Sequence, residues 1–252
     1  MSIYELLAHV YDAFNDEIDY QTWAEKIDTW IREYGAPGDK VVLDLGCGTG
    51  SMTIPLSRLG YEMIGLDLSL EMLTYARERE ELEGQTGILW TQQDMTEFTL
   101  YSPVDVVVSA LDSMNHLWRR GDLQKCLAHV SEFLTPGGLF IFDVNSQHKF
   151  ETIYGDQTYI YETENTFCVW QNDYNPKSKL CDFYITLFEV TEEGTYCRED
   201  AVQTERFYSI RQLKKALDEA GLDLIATFGG LDGQDITPED QRWYLIARKR
   251  EV

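Results

Sequence analysis

Basic residues are scarce in this sequence and nowhere form a stripe: 21 lysines and arginines stand against 44 aspartates and glutamates, for a formal charge of −23. A field of that sign repels polyanions, which argues against nucleic acid and against an anionic membrane as partners. Small neutral or cationic molecules are not disfavoured. Cysteine is also sparse and unpatterned. Cys47, Cys126, Cys168, Cys181 and Cys197 are odd in number, include no CxxC pair and share no metal-like spacing with the four histidines. Reduced, structural thiols and no metal site are therefore expected. No apolar run approaches the roughly 18 residues that span a bilayer. The opening MSIYELLAHVYDAFNDE lacks a basic segment followed by an apolar core, so a cytoplasmic protein is expected. Internal repeats and low-complexity linkers are missing too. With 252 residues, 44% of them apolar, the chain predicts one large folded domain, or one domain carrying a sizeable insertion.

What is present is a rhythm that changes along the chain. Residues 1–36 read as helical, with Ser2 and Glu5 as a possible capping box and Trp23, Ile27, Trp30, Ile31 and Tyr34 at helical spacing before Gly35. This segment is expected to pack on the main domain as a lid. From residue 37 to about 156, β-like runs alternate with helical stretches: VVLDL (41–45), YEMIGLD (61–67), ILWTQQD (88–94), VDVVVSAL (104–111) and LFIFDVN (139–145). That alternation implies a parallel sheet with crossover helices. One helix opens at Ser69 and carries Met72, Leu73 and Ala76 on a face. Another carries Leu123, Leu127, Val130 and Leu134 and is stopped by TPGG (135–138). Residues 157–207 turn aromatic and β-prone, which predicts an antiparallel insertion. Residues 208–252 then complete the α/β core with a helix over 209–220, a strand near 222–228 and a strand over 242–248.

Three strand ends carry chemistry. VVLDLGCGTG (41–50) runs a buried strand into Gly46, Gly48 and Gly50, with Asp44 two residues ahead of the first glycine. Glycines there allow a sharp turn and the close approach of a ligand, although a purely structural turn reads the same way. The third glycine follows the second after one residue, where the dinucleotide fingerprint GxGxxG wants two and this chain has Ser51. The second strand ends in Asp67, which can accept from both hydroxyls of a ribose. The third ends in Gln92-Gln93-Asp94-Met95, where Asp94 can accept from an adenine amino group and Met95 can cover the ring. Taken alone, Asp94 reads as a turn residue. In open α/β sheets ligands bind beyond the carboxyl ends of the strands, which joins the three ends into one site.

With DLGCGTG (44–50), GLDLSLEML (65–73), QDM (93–95), ALDSMNHL (110–117) and TPGGLFIFDVN (135–145), the sequence resembles the class I S-adenosylmethionine-dependent methyltransferases. The leading VYDAFNDEIDYQTW (10–23) and the aromatic insertion are similar to those of small-molecule N-methyltransferases of amino-sugar and glycine or sarcosine type. The resemblance implies a Rossmann-like, mostly parallel seven-stranded sheet with helices on both faces, an N-terminal helical lid and an antiparallel β insertion after the fifth strand. It implies S-adenosyl-L-methionine as cofactor and a small-molecule methyl acceptor. Gly46, Gly48 and Gly50 would line the methionine part, with Asp44 in the same motif and Cys47 and Thr49 adding backbone contacts. Asp67 would hold the ribose, Leu68 and Met72 would touch the adenine side, and Asp94 with Met95 would hold the adenine. Ala110 and Leu111 would meet the amine and sulfonium, and Tyr11 would close over the methyl-donor end.

The sulfonium is already an activated electrophile, so catalysis is expected from proximity, alignment and exclusion of water. A nitrogen nucleophile must be uncharged. Tyr11, His116 and Asp143 are candidate catalytic residues, with Asp112 and Asn145 beside them in loops after the fourth and fifth strands; structural roles are open for each. Trp170, Tyr174, Phe183, Tyr184 and Phe188 either line an acceptor pocket or pack a small sheet. Rival readings are an NAD-dependent oxidoreductase, disfavoured by the glycine spacing, a methyltransferase of nucleic acid, disfavoured by charge and by ALDSMN in place of an Asn/Asp-Pro-Pro-aromatic signature, and a non-catalytic cofactor-binding protein.

Overall fold

The computed structural model describes residues 7–38 and 40–251, so the Ser2 and Glu5 capping box lies outside the described residues. In chain order the α-helices are α1 (Tyr11–Phe14), α2 (Tyr20–Tyr34), α3 (Thr53–Arg58), α4 (Leu70–Leu82), α5 (Asp122–Phe133) and α6 (Ile210–Glu219), with a 3-10 turn over Ser113–His116 and a short π-helix over Lys149–Tyr154. The strands are β1 (Val41–Leu45), β2 (Glu62–Asp67), β3 (Leu89–Gln92), β4 (Val104–Ser109), β5 (Leu134–Asn145), β6 (Thr158–Glu162), β7 (Thr166–Asn175), β8 (Leu180–Val190), β9 (Tyr196–Arg206), β10 (Leu222–Phe228) and β11 (Arg242–Lys249).

Seven strands form the main sheet in the order β10-β11-β5-β4-β1-β2-β3. Neighbours from β5 to β3 run parallel, and β11 alone is reversed, antiparallel to both β5 and β10. Because side chains alternate along a strand, β1 sends Leu43 and Leu45 into one apolar layer and Val42 into the other. The first layer is closed by α5 and α6, the second by α2, α3 and α4. The sheet is thus covered on both faces, as the resemblance implied.

The helix termini follow their sequences. Asp19 caps α2 by accepting from Thr22 N at 2.9 Å, Ser69 caps α4 through Met72 N, and Ser209 with Gln212 closes a capping box on α6; each cap is worth about 1 kcal/mol. In α2, Trp23, Ala24, Ile27, Trp30 and Ile31 are buried on one face, and Trp30 stacks on Phe228 with ring centroids 5.4 Å apart.

The structure departs from the sequence reading in three places. The helical stretch over 1–36 is interrupted after Phe14, and α2 restarts behind the Asp19 cap. TPGG lies inside β5 rather than before it: pairing jumps from Val104 with Leu134 to Val106 with Leu139. A Cβ on Gly138 would stand 2.7 Å from the Asp105 carbonyl oxygen, so that glycine admits the neighbouring backbone, and Leu134 belongs to the strand instead of the helical stripe. Asp143 and Asn145 sit on β5 itself, not in the loop that follows.

Strands β6 to β9 form a separate antiparallel sheet in sequence order. Its alternation divides the five singled-out aromatics. Phe183 and Tyr174 are buried with Phe150 and Phe207, and Trp170 touches that cluster. Tyr184 is exposed on the opposite face of β8, and Phe188 shares its parity, lying beside Phe167 and Arg198. A pocket lined by all five is therefore ruled out by strand geometry. Leu7 and Val10 bury against Cys168, Ile185, Leu187 and Ala201 of this sheet, and Phe14 stacks on Tyr161 at 5.0 Å.

Candidate functional site

The carboxyl ends of β1, β2, β4 and β5 meet beneath α1 and the antiparallel sheet. After β1, Gly46 and Gly48 take left-handed φ values of 80° and 53°, a region costing other residues roughly 1–2 kcal/mol. Gly46 N and Cys47 N both donate to the Leu66 carbonyl, at 2.8 and 2.9 Å. A Cβ on Gly46 would collide with Ser113 Oγ at 2.8 Å, and the Met95 methyl lies just beyond. A Cβ on Gly48 would meet nothing within 4 Å. Packing demands the first glycine, whereas the second borders open space.

Asp67 ends β2 with each carboxylate oxygen bonded to a different segment: Gly48 N donates to one at 2.8 Å and Ser69 N to the other at 2.9 Å. Burial pushes its carboxyl up, against the pull of these backbone donors. Next to it Leu68 is 65% exposed, while Met72 is buried in the first turn of α4. Asp44 is buried and accepts from Thr53 Oγ1 at 2.6 Å. Burial raises its pKa to about 7, with the Asp67 charge acting in the same direction. Cys47 is buried, and burial raises its thiol well above the usual range. Asp94 Oδ1 accepts from Thr96 N at 2.7 Å and from its hydroxyl at 2.8 Å, a turn-closing role.

After β4 the buried Ala110 leads into two consecutive non-glycine residues in the left-handed region, Leu111 at φ 55° and Asp112 at φ 54°. Each such residue stores on the order of 1–3 kcal/mol. Asp112 N is held by Asp143 Oδ2 at 2.8 Å, which fixes the turn.

Around that turn lies a buried cluster of charge. Arg242, at the start of β11, donates to Asp112 Oδ1 at 2.7 Å and forms an ion pair with Asp143. Burial works to raise Asp112, but Arg242, Lys149 and His116 together hold it below the usual carboxylate range. Asp143 is pushed above it by burial, which outweighs Arg242. Glu205 on β9 is buried, receives Asn145 Nδ2 at 3.2 Å, and is raised well above the ordinary range by burial and by Asp112. His116 is lowered by burial against the opposing effect of Asp112. Gln203 Nε2 lies 2.8 Å from His116 Nδ1; when it donates there, the neutral ring carries its proton on Nε2. Asp143 Oδ1 and Asn145 Oδ1 are buried acceptors without a hydrogen-bond donor.

Ligand atoms of Asp112, His116 and Glu205 fall within 4.8 Å of one another. The Arg242 guanidinium already on Asp112, with Lys149 close by, sets a field that opposes a cation there. Tyr11 is brought to the same place: burial raises its phenol well above the usual range, and the charges of Asp112, Asp67 and Asp12 add to the effect.

The structure thus gathers the predicted residues of the glycine loop, Asp67, Met95, the β4 end and Tyr11 at one end of the sheet. Sequence reasoning missed Asp12, Arg79, Lys149, Glu205 and Arg242. Asp12 adjoins Tyr11 in the quoted VYD motif and was within reach. Glu205 and Arg242 lie on strands whose neighbours only the fold reveals.

Comparison with known proteins bears on this arrangement. A family described as "Methyltransferase domain" matches residues 42–138. A protein of Geobacillus sp. (strain WCH70) named for the methyltransferases is 30% identical over 246 residues, spanning 98% of this chain and 99% of its own. The dTDP-3-amino-3,4,6-trideoxy-alpha-D-glucopyranose N,N-dimethyltransferase of Streptomyces venezuelae is 33% identical over 138 residues, 54% of this chain and 56% of that one. The crystal structure of an S-adenosylmethionine-dependent methyltransferase from Clostridium acetobutylicum ATCC 824 superposes with a TM-score of 0.85 at 27% identity, covering 99% of this chain and 100% of that one.

Proposed function

The chain belongs to the class I S-adenosylmethionine-dependent methyltransferases, and from that membership we propose that it methylates a small molecule at an amine nitrogen. The observation carrying the nitrogen is the surplus of buried acceptors at the β4 and β5 ends. Asp143 Oδ1 and Asn145 Oδ1 lack donors, and Asp112 and Glu205 add carboxylate oxygens. An unmatched buried acceptor costs about 1–3 kcal/mol. An amine brings two or three N–H groups to such a surface, whereas a hydroxyl acceptor brings one.

The strand ends fit the cofactor. The space at Gly48 admits a ligand against bare backbone, and Asp67 spends one lone pair per oxygen on Gly48 N and Ser69 N, leaving acceptor capacity for a ribose diol. In this reading Gly46, Cys47, Gly48, Thr49 and Gly50 with Asp44 border the methionine moiety. Asp67 holds the ribose, Leu68, Met72, Asp94 and Met95 flank the adenine, and Ala110, Leu111 and Tyr11 enclose the reacting end. When bound, S-adenosylmethionine supplies a methyl group on an electrophilic sulfonium. The protein contributes alignment and dryness: α1 and the antiparallel sheet cover the site, and Arg242 keeps Asp112 ionised, an acceptor for an N–H of the amine in its neutral, nucleophilic form. A screen of small amines, amino sugars and hydroxy compounds for S-adenosylhomocysteine release tests the assignment; release confined to hydroxyl acceptors would refute it. The small-molecule reading is further supported by the −23 charge, which opposes a polyanionic acceptor. Among the described residues no helix is long and apolar enough to cross a membrane.

Asp67→Ala is expected to weaken S-adenosylhomocysteine binding about tenfold to a hundredfold by calorimetry, the loss of roughly 1.4–3 kcal/mol of charge-assisted bonding. Because Gly48 N and Ser69 N also lose their acceptor, the ligand-free variant should melt below wild type. Unchanged affinity would remove Asp67 from the site.

A further inference from the structure

α1 is four residues long, too short to hold itself in place, and it is gripped from two sides. On one side Phe14, together with Leu7 and Val10 just before the helix, lies on the antiparallel sheet, and His9 Nε2 is hydrogen-bonded to Glu189 of β8. Its polar side meets the glycine loop. Thr49 Oγ1 donates to Asp12 Oδ1 at 2.8 Å, and Ser51 Oγ donates to the same oxygen at 3.2 Å. The other Asp12 oxygen is ion-paired with Arg79 of α4, whose second guanidinium nitrogen donates to Ser51 Oγ at 2.5 Å. Tyr20 adjoins the group; burial first, then the Asp12 charge, raises its phenol to about 12. Between the two grips stands Tyr11, beside Asp67 and Asp112.

The grips differ in kind. The apolar one is dry, whereas the side chains of Asp12 and Arg79 are 39% and 26% exposed, so water and salt reach the polar one. The polar grip is therefore the one that salt can weaken. It also joins the two segments that border the cofactor, the glycine loop and the helix following Asp67.

Resting on the cofactor reading above, we infer that Asp12 and Arg79 form a latch that closes α1 over the glycine loop, and that its opening sets the rate of cofactor exchange. They are positioning residues that touch no reacting atom. With the latch open, α1 stays on the antiparallel sheet and uncovers the loop, so exchange needs no unfolding of the core.

Stopped-flow chase of bound S-adenosylhomocysteine from Asp12→Ala and Arg79→Met tests the latch. Each variant should release the ligand about tenfold faster, and the double variant little faster than either, because the two groups act as one unit. Added potassium chloride should speed release from wild type and leave the variants unchanged. Hydrogen exchange over residues 8–16 of the ligand-free protein should quicken in both variants while the amides of β1 and β4 stay protected. Unchanged exchange would show that Asp12 latches nothing. Faster exchange with unchanged release would show that α1 is no gate, and additive effects would break the pairing. If wild type binds no S-adenosylhomocysteine, the cofactor reading and the gate fail together, while the exchange measurement still reports on the latch itself.

Discussion

Arg242→Met should lower the melting temperature by about 6–20 °C at pH 7.5, the equivalent of roughly 3–5 kcal/mol for stripping the cation from a buried pair in a chain of this size. The arginine is 16% exposed at its side chain and neutralises Asp112 and Asp143, both of them buried or nearly so. Methionine fills much of the volume, so the loss reports charge more than cavity. The pH dependence gives the stricter check. Without Arg242 both carboxyls rise above their unfolded values, so the folded state is penalised at neutral pH and above, and the penalty shrinks as pH falls and they bind protons. The gap between variant and wild type should accordingly narrow from pH 8 to pH 5. Adding Asp112→Asn and Asp143→Asn to Arg242→Met should recover part of it at pH 7.5. Equal melting of the single variant and wild type by calorimetry would mean that the cluster is far wetter than its burial implies.

Asp44 should make stability fall as pH rises, the reverse of the usual surface carboxylate. Its folded pKa of about 7 exceeds the unfolded value of about 3.9. Its contribution is therefore complete near pH 4 and is lost as pH rises through about 7. Between pH 5 and pH 8 the loss is roughly 3 kcal/mol. Asp67 is raised as well and tilts wild type in the same direction. The informative quantity is thus the difference from Asp44→Asn, whose amide oxygen can still accept from Thr53 Oγ1. Melting curves of the two proteins should converge near pH 5 and separate toward pH 8, with the variant the more stable. Parallel curves would place the Asp44 titration below pH 5 and imply solvent or a cation beside it.

Much of the fold was legible in the sequence because the signals are local. The strand at Val41–Leu45 announces itself as an unbroken apolar run entering glycines, and Ser69 and Ser209 mark helix starts with their own side chains. The same locality explains the errors. TPGG has the composition of a helix stop, and only the approach of the Asp105 carbonyl shows that Gly138 serves β-sheet pairing. The run LFIFDVN carries Asp143 and Asn145 on a strand, as β5 does, but what lies beside them depends on its partner β11, which the local sequence does not name. Of the candidate site, the strand-end motifs were legible: apart from Tyr11 they lie within residues 44–117, each at the end of one strand. The buried charge cluster was not. Glu205, Lys149 and Arg242 reach Asp112 from a strand of the second sheet, from a short π-helix after β5 (Lys149–Tyr154) and from the reversed β11, and nothing in the residues flanking them encodes that meeting.

The reversed strand also sets the order in which the protein can assemble. During synthesis from the N-terminus, β1 to β5 can pair as soon as they emerge, yet until β11 is added the outer edge of β5 offers an unpaired row of backbone groups. The guanidinium that neutralises Asp112 and Asp143 arrives with the same strand, 130 and 99 residues later in the chain. Contacts of that sequence separation are slow to form. A nascent or truncated chain ending before Arg242 would therefore hold an open sheet edge next to two buried, unmatched acids. The closing of the sheet and the charging of the site are one event, so a chain caught before it is both inactive and prone to aggregate.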